Sequence, residues 1–151
     1  MEIMGLPLHP LVVHAVVVLV PLASLGGIAI SLWSAARRRY GWLTVAFAFA
    51  GAASTLVAQK AGEALAASLP QHSALLEKHI SIGGGLLLWA ILLFVGTTAV
   101  MISQRLIDQQ QPSGRIALLV SKILTVVTAV ISVVQVVRIG HAGATAVWGS
   151  G

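Results

Sequence analysis

Five histidines are the residues of this chain best equipped for chemistry: His9, His14, His72, His79 and His141. A neutral imidazole ligates haem iron, copper or zinc, and it can carry a proton near neutral pH. His9 and His14 stand at the mouth of an apolar run, Leu6-Pro7-Leu8-His9-Pro10-Leu11-Val12-Val13-His14, that continues to Trp33. A titratable group at the edge of a bilayer helix is costly without a partner, which makes it a candidate functional residue. The plainer role for any one of them is a hydrogen bond to a backbone carbonyl or to interfacial water. His9 and His14 are separated by about 140° around a helix, so they cannot serve one site, and His9 is assigned to the headgroups. His72 falls in the polar connection from Gln71 to Lys78 and is read as solvated.

The elements that must position these histidines follow from composition. Of 151 residues 58% are hydrophobic and 9% charged, against about 25% charged in a soluble domain. Such a chain cannot cover itself with polar surface, so it belongs in lipid as a multi-pass protein of the cell membrane. The net charge of +5 does not point to nucleic acid, because the basic residues gather at helix ends rather than on a stripe. With no cysteine there is no disulfide, iron–sulfur cluster, thiolate metal site or covalently attached haem. The N-terminus lacks the basic start and cleavage site of a secretory signal peptide.

Four apolar segments, each near the roughly 20 residues a helix needs to cross the bilayer, make this a single all-α domain over 1–151. It is an integral membrane four-helix up-down bundle with helices at about 9–33, 41–69, 79–104 and 115–140. Arg37-Arg38-Arg39 lie between the first two segments, and Arg105 and Arg115 between the last two, with Lys122 nearby. The opposite side has Lys60, Lys78 and Arg138 mixed with Glu2, Glu63 and Glu77. The positive-inside rule then makes both termini extracytoplasmic. Trp33, Tyr40 and Trp42 suit an inner aromatic belt, and Trp148 an outer anchor.

This topology carries all five histidines to the outer face. At the helical rise, His14 stands about 35 Å above Arg37, His79 about 38 Å above Gln104 and His141 about 39 Å above Arg115. First and third helices lie diagonally in an up-down bundle, so His14 and His79 are the expected axial pair for haem b. His141 is the alternate ligand or a hydrogen-bonding neighbour. Arg138, one turn from His141, suits a haem propionate. The same three histidines, with Glu63, offer copper or zinc a site instead. There is no HExxH and no paired Glu-x-x-His, so neither a zincin nor a di-iron centre is supported. A third expectation is an accessory subunit of a larger, respiratory-type membrane complex with no cofactor of its own. No carboxylate lies inside a span and Ser, His and Asp form no triad, so no catalytic residue is assigned.

Two seams of small residues complete the pattern. Ser121, Thr125, Thr128, Ser132 and Gln135 share one face of the fourth helix, and Gly51, Thr55, Ala58 and Gly62 one face of the second. Both are read as packing surfaces rather than a proton path, since no acid lies on them.

The opening His9-Pro10-Leu11-Val12-Val13-His14 resembles the small bacterial membrane family known as domain of unknown function 2231. The ending, Arg138-Ile139-Gly140-His141-Ala142-Gly143-Ala144-Thr145-Ala146-Val147-Trp148, is similar to an actinobacterial branch of it. Members commonly continue Phe-Pro after the second histidine, whereas Ala15-Val16 follow here and proline waits until Pro21. The resemblance covers essentially the whole chain. It implies four spans with outward histidines, and those histidines suggest haem.

The arginine asymmetry yields the first test. A reporter enzyme fused after Gly151 should be active only outside the cytoplasm; cytoplasmic activity there would reverse the orientation.

Overall fold

The computed structural model of the chain describes residues 2–3, 6–67 and 83–148, with side chains for 12–64, 66–67 and 83–142. Ahead of the first helix, Glu2–Ile3 (β1) and Leu6–Pro7 (β2) pair as a two-residue antiparallel ladder. Four helices follow: α1 (Leu8–Leu32), α2 (Ser34–Ala67), α3 (Leu86–Asp108) and α4 (Gly114–Trp148). Each contains a segment long and apolar enough to cross a membrane.

A repeat spaced alternately four and three residues apart explains why these helices pack side by side. The buried stripe is Val16, Val20, Ala23, Gly27 and Ile30 on α1, and Arg37, Gly41, Thr44, Ala48, Gly51, Thr55 and Ala58 on α2. It is Leu86, Ala90, Leu93, Thr97 and Val100 on α3, and Ser121, Thr125, Thr128 and Ser132 on α4. A repeat averaging 3.5 residues keeps one seam facing its neighbours along the whole length, as in coiled coils and up-down bundles. The opposite faces are large, apolar and exposed, among them Val18, Leu25, Leu88, Ile102, Leu119 and Val137, as a lipid-facing surface requires. α1 packs on α2 and α4, and α3 packs on the same two, while α1 and α3 meet only narrowly across the axis. The order around the bundle is therefore α1-α2-α3-α4, with α1 and α3 diagonal.

The connections at one end are short. Only Trp33 separates α1 from α2, and the amides of Trp33 and Arg37 still donate to Ala29 O and Trp33 O. The arginines are thus the first turns of α2 rather than a loop ending near Gly41. Arginine is a good helix former, and Arg37 falls in phase with the buried stripe. α3 ends at Asp108 with Gln109 as its C-cap, and the next residue, Gln110, has a left-handed φ of 58°, with Gln110 N and Gln111 N donating to Ile107 O and Leu106 O. α4 runs through Gly140 to Trp148 instead of ending there.

Close approach rather than bulk closes the middle of the bundle. Thr125 is fully buried and fits against two glycines. A Cβ on Gly27 would meet Thr125 Cγ2 at 3.0 Å, and one on Gly96 would meet Thr125 Oγ1 at 2.8 Å and its backbone N at 3.3 Å. On the other pair, a Cβ on Gly26 would meet Thr44 at 2.9 Å. The seam hydroxyls do not bridge helices. Ser121, Thr125 and Thr128 donate to Ala117 O, Ser121 O and Leu124 O of their own helix, as do Ser24, Ser31 and Thr55 to the carbonyls four residues back. Each of these hydroxyls is satisfied locally, so what it presents to the next helix is a small, nearly apolar surface, while Ser132 Oγ on the same seam is buried with no hydrogen-bond partner.

Gly96→Ala should destabilise the bundle by about 1–3 kcal/mol through overpacking, read as earlier unfolding in a dodecyl sulfate titration. Gly84→Ala, where an added Cβ meets nothing within 4 Å, should be tolerated. Likewise Ser132→Leu, at a fully buried seam position, should impair assembly more than Val133→Leu, at a half-buried one; equal tolerance would count against the seam.

Candidate functional site

At the end where the chain begins, an apolar cluster of Val16 and Val20 (α1), Ala58 (α2), Leu86 (α3) and Val136 (α4) closes the bundle, with Val12, Val13 and Ile139 against it. His14 and His141 flank this cluster in sequence, so α1 and α4 bring them to the same end. Both are exposed. His14 lies two residues before Val16, half a turn or more away from the buried stripe, and shares its face with exposed Val18, Leu22 and Leu25. His141 lies five residues beyond Val136, again away from the seam. Arg138, also exposed, precedes His141 by one turn. His9 is in the first turn of α1 with its side chain outside the described residues; His72 and His79 lie outside them altogether.

Of the expected site residues, then, the fold gathers His14, Arg138 and His141 at one end and turns the two described imidazoles outward. The other half of the expected axial pair, His79, falls in a segment not described. Glu63 is exposed and accepts a hydrogen bond from Gln59 Nε2 at 3.0 Å. Among the described residues no three His, Cys, Asp or Glu side chains come together as a metal site. Next to cluster members Ala58 and Val136, and one turn further along α4, are buried oxygens with no hydrogen-bond partner: Gln59 Oε1 on α2, and Gln135 Oε1 and Ser132 Oγ on α4.

The opposite end is organised by a residue that sequence reasoning treated as an ordinary positive-inside arginine. Arg37 is only 5% exposed. Its NH1 donates to Ile30 O at 2.6 Å and its Nε to Gln104 Oε1 at 2.9 Å. Gln104 Nε2 in turn donates to Asp108 Oδ1 at 2.9 Å. One guanidinium thus caps a carbonyl in the last turn of α1, belongs to α2 and ties α3 through Gln104, a charge-assisted set that offsets part of its burial. Lys122 on α4 is close enough for the two cations to repel. The signal that could have found Arg37 was its phase: it continues the Gly41, Thr44, Ala48 spacing by one step. Around it the exposed ring of aromatics carries cations, with Arg39 5.5 Å from the Tyr40 ring centre and Arg105 4.6 Å from that of Trp42.

No curated protein and no solved structure matches the chain. A family model does, the one described as predicted membrane protein (DUF2231), over residues 5–151. That match spans the four helices and both ends just described, and the chain belongs to this family of membrane proteins.

Proposed function

We propose that this protein is a haem b-binding membrane subunit serving electron transfer, and that its imidazoles reach the haem from outside the bundle. The reading rests on the outward exposure of His14 at the end it shares with His141. A haem sunk on the bundle axis does not fit the residues there. His14 faces away from the buried stripe, and the orphaned acceptors Gln59 Oε1 and Gln135 Oε1 call for hydrogen donors that a porphyrin ring lacks. Against the exterior of α1, His14 would hold the haem iron together with a ligand from a neighbouring subunit of a respiratory-type complex, and Val18 would wall the ring. Arg138 is exposed at the same end and supplies a positive charge for a propionate. Within this chain His79, expected as the partner ligand of His14, and His141, expected as its alternate, are the candidates for the second ligand in place of a neighbouring subunit's. In this arrangement the chain supplies a ligand, a wall and a charge, and the haem carries the electron. Copper or zinc at the same histidines is the competing ligand chemistry.

The test is an absorption spectrum, with metal analysis, of protein isolated gently from its own membranes. Sharp reduced-state bands are expected, lost or broadened in His14→Ala and intact in His72→Ala. Arg138→Gln should lower the midpoint potential, since loss of a nearby positive charge favours the oxidised iron. No Soret band but one copper or zinc ion that disappears with His14 would establish the metal reading instead. Neither haem nor metal would leave an accessory subunit and overturn the proposal.

A further inference from the structure

A second feature lies on the outside of the α1–α2 pair, at the basic end. The two helices leave an open groove of about 210 Å³ between them, lined by Leu22, Leu25, Gly26, Ala29, Tyr40 and Phe47 among others. Small residues make it: Gly26 admits Thr44 so closely that the helices touch at the floor, while Ala29 and Ala36 leave the walls low. The one hydroxyl of the floor, Thr44 Oγ1, donates to Tyr40 O at 3.0 Å, so the floor offers a visitor little to hydrogen-bond. The rim residues Leu25, Leu43 and Tyr40 are half or more exposed. The groove therefore opens to the acyl region of a bilayer.

Its length and its mouth both select an occupant. From the turn at Trp33 to Leu22 the groove runs about 15 Å along α1, which is one leaflet of a hydrocarbon core about 30 Å thick. At its mouth Tyr40 carries the exposed Arg39, whose guanidinium lies 5.5 Å from the Tyr40 ring centre, whereas Arg38, about 160° around α2 from Tyr40, faces away from the groove. Arg37, Arg105, Arg115 and Lys122 add to the positive charge of this end, which among the described residues has Asp108 as its only acid, already held by Gln104. An apolar slot one leaflet deep under an exposed arginine is complementary to an acyl chain under a phosphate.

We propose that the α1–α2 groove is a binding site for an anionic glycerophospholipid of the leaflet at the basic end, one acyl chain lying along Leu22, Gly26 and Ala29 and the headgroup phosphate held by Arg39. Tyr40 forms the hinge between the two parts, apolar toward the chain and carrying Arg39 toward the phosphate. The arginines at this end then do more than set topology: one of them chooses a lipid.

The experiment reads lipid retention by native mass spectrometry of the full-length protein taken from discs of phosphatidylcholine mixed equally with phosphatidylglycerol. The protein should leave with phosphatidylglycerol in preference, and the preference should fall about fivefold in Arg39→Gln. Arg105→Gln and Arg115→Gln, at the same end but away from the groove, should leave it unchanged. Ala29→Leu, which fills the slot without touching charge, should reduce bound lipid of both kinds, with circular dichroism reporting that the helices persist. An unchanged preference in the Arg39 variant overturns the site, as does an equal loss on changing Arg105 and Arg115, which would mean diffuse surface charge. Displacement of the lipid by glycerol 3-phosphate alone would make it a free-anion site, and cross-linking of two copies through Ala29 with no lipid retained would make it a dimer contact; either result refutes the lipid assignment.

Discussion

The bundle depends on how near α4 comes to α1 and α3 at Thr125. In lipid no hydrophobic force drives helices together, so association rests on close packing, interhelical polar contacts and lipid entropy. Here packing carries most of it. Two glycines from two different helices receive one threonine, and that threonine has already given its hydroxyl proton to its own backbone. The same device recurs between α1 and α2 at Gly26 with Thr44 and Gly51 with Val20, and between α2 and α3 at Gly41 with Met101, so that each adjacent helix pair has a place where a missing side chain admits a neighbour. Large residues such as Leu93, Val100 and Ile30 then fill the layers between these close points.

Local satisfaction of hydroxyls has a second effect. Thr97, Thr125, Thr128, Ser24 and Ser31 are all essentially buried, yet they form no interhelical network. The polar exceptions divide by end. At the basic end Arg37 connects three helices through directed bonds to Ile30 O and Gln104. Toward the histidine end, Gln59 and Gln135 keep buried acceptors unpaired. One end is locked by donors in excess and the other retains unfilled acceptors, so the mechanical constraint and the candidate chemistry occupy opposite faces of the membrane.

How much of this was legible follows from the kind of signal each feature leaves. Four spans, the up-down order and the diagonal relation of α1 to α3 come from long apolar runs and short connections, and both are carried by single residues in sequence. The seam on α4 was visible as a spacing of Ser121, Thr125, Thr128 and Ser132, and it is buried as a packing face. The start of α2 was not legible: charge suggested a loop, whereas helix propensity and phase favour a helix from Ser34. Depth along the bundle was readable for His14 and His141 because it depends only on rise per residue. Direction was not read from the spacing, although the phase of His14 relative to Val16 and Val20 held it. Depth alone proposed an inward pair; phase turns His14 toward the outside. The groove beside Tyr40 leaves no sequence signature at all, since it arises from small residues on two antiparallel helices whose register is a tertiary fact.

The single-residue turn at Trp33 has a mechanical consequence. With hydrogen bonding continuing across it and Arg37 stitched back to Ile30, α1 cannot slide along its axis without carrying α2 with it. The hairpin is a ruler of fixed length, about 37 Å along the 25 residues of α1, with its zero mark set by arginines and aromatic rings in one headgroup layer. The height at which His14 emerges on the far side is therefore determined from across the bilayer. A thicker or thinner membrane would move the imidazole relative to the opposite surface without changing any contact around it, so lipid composition sets whether His14 stands in hydrocarbon or in water.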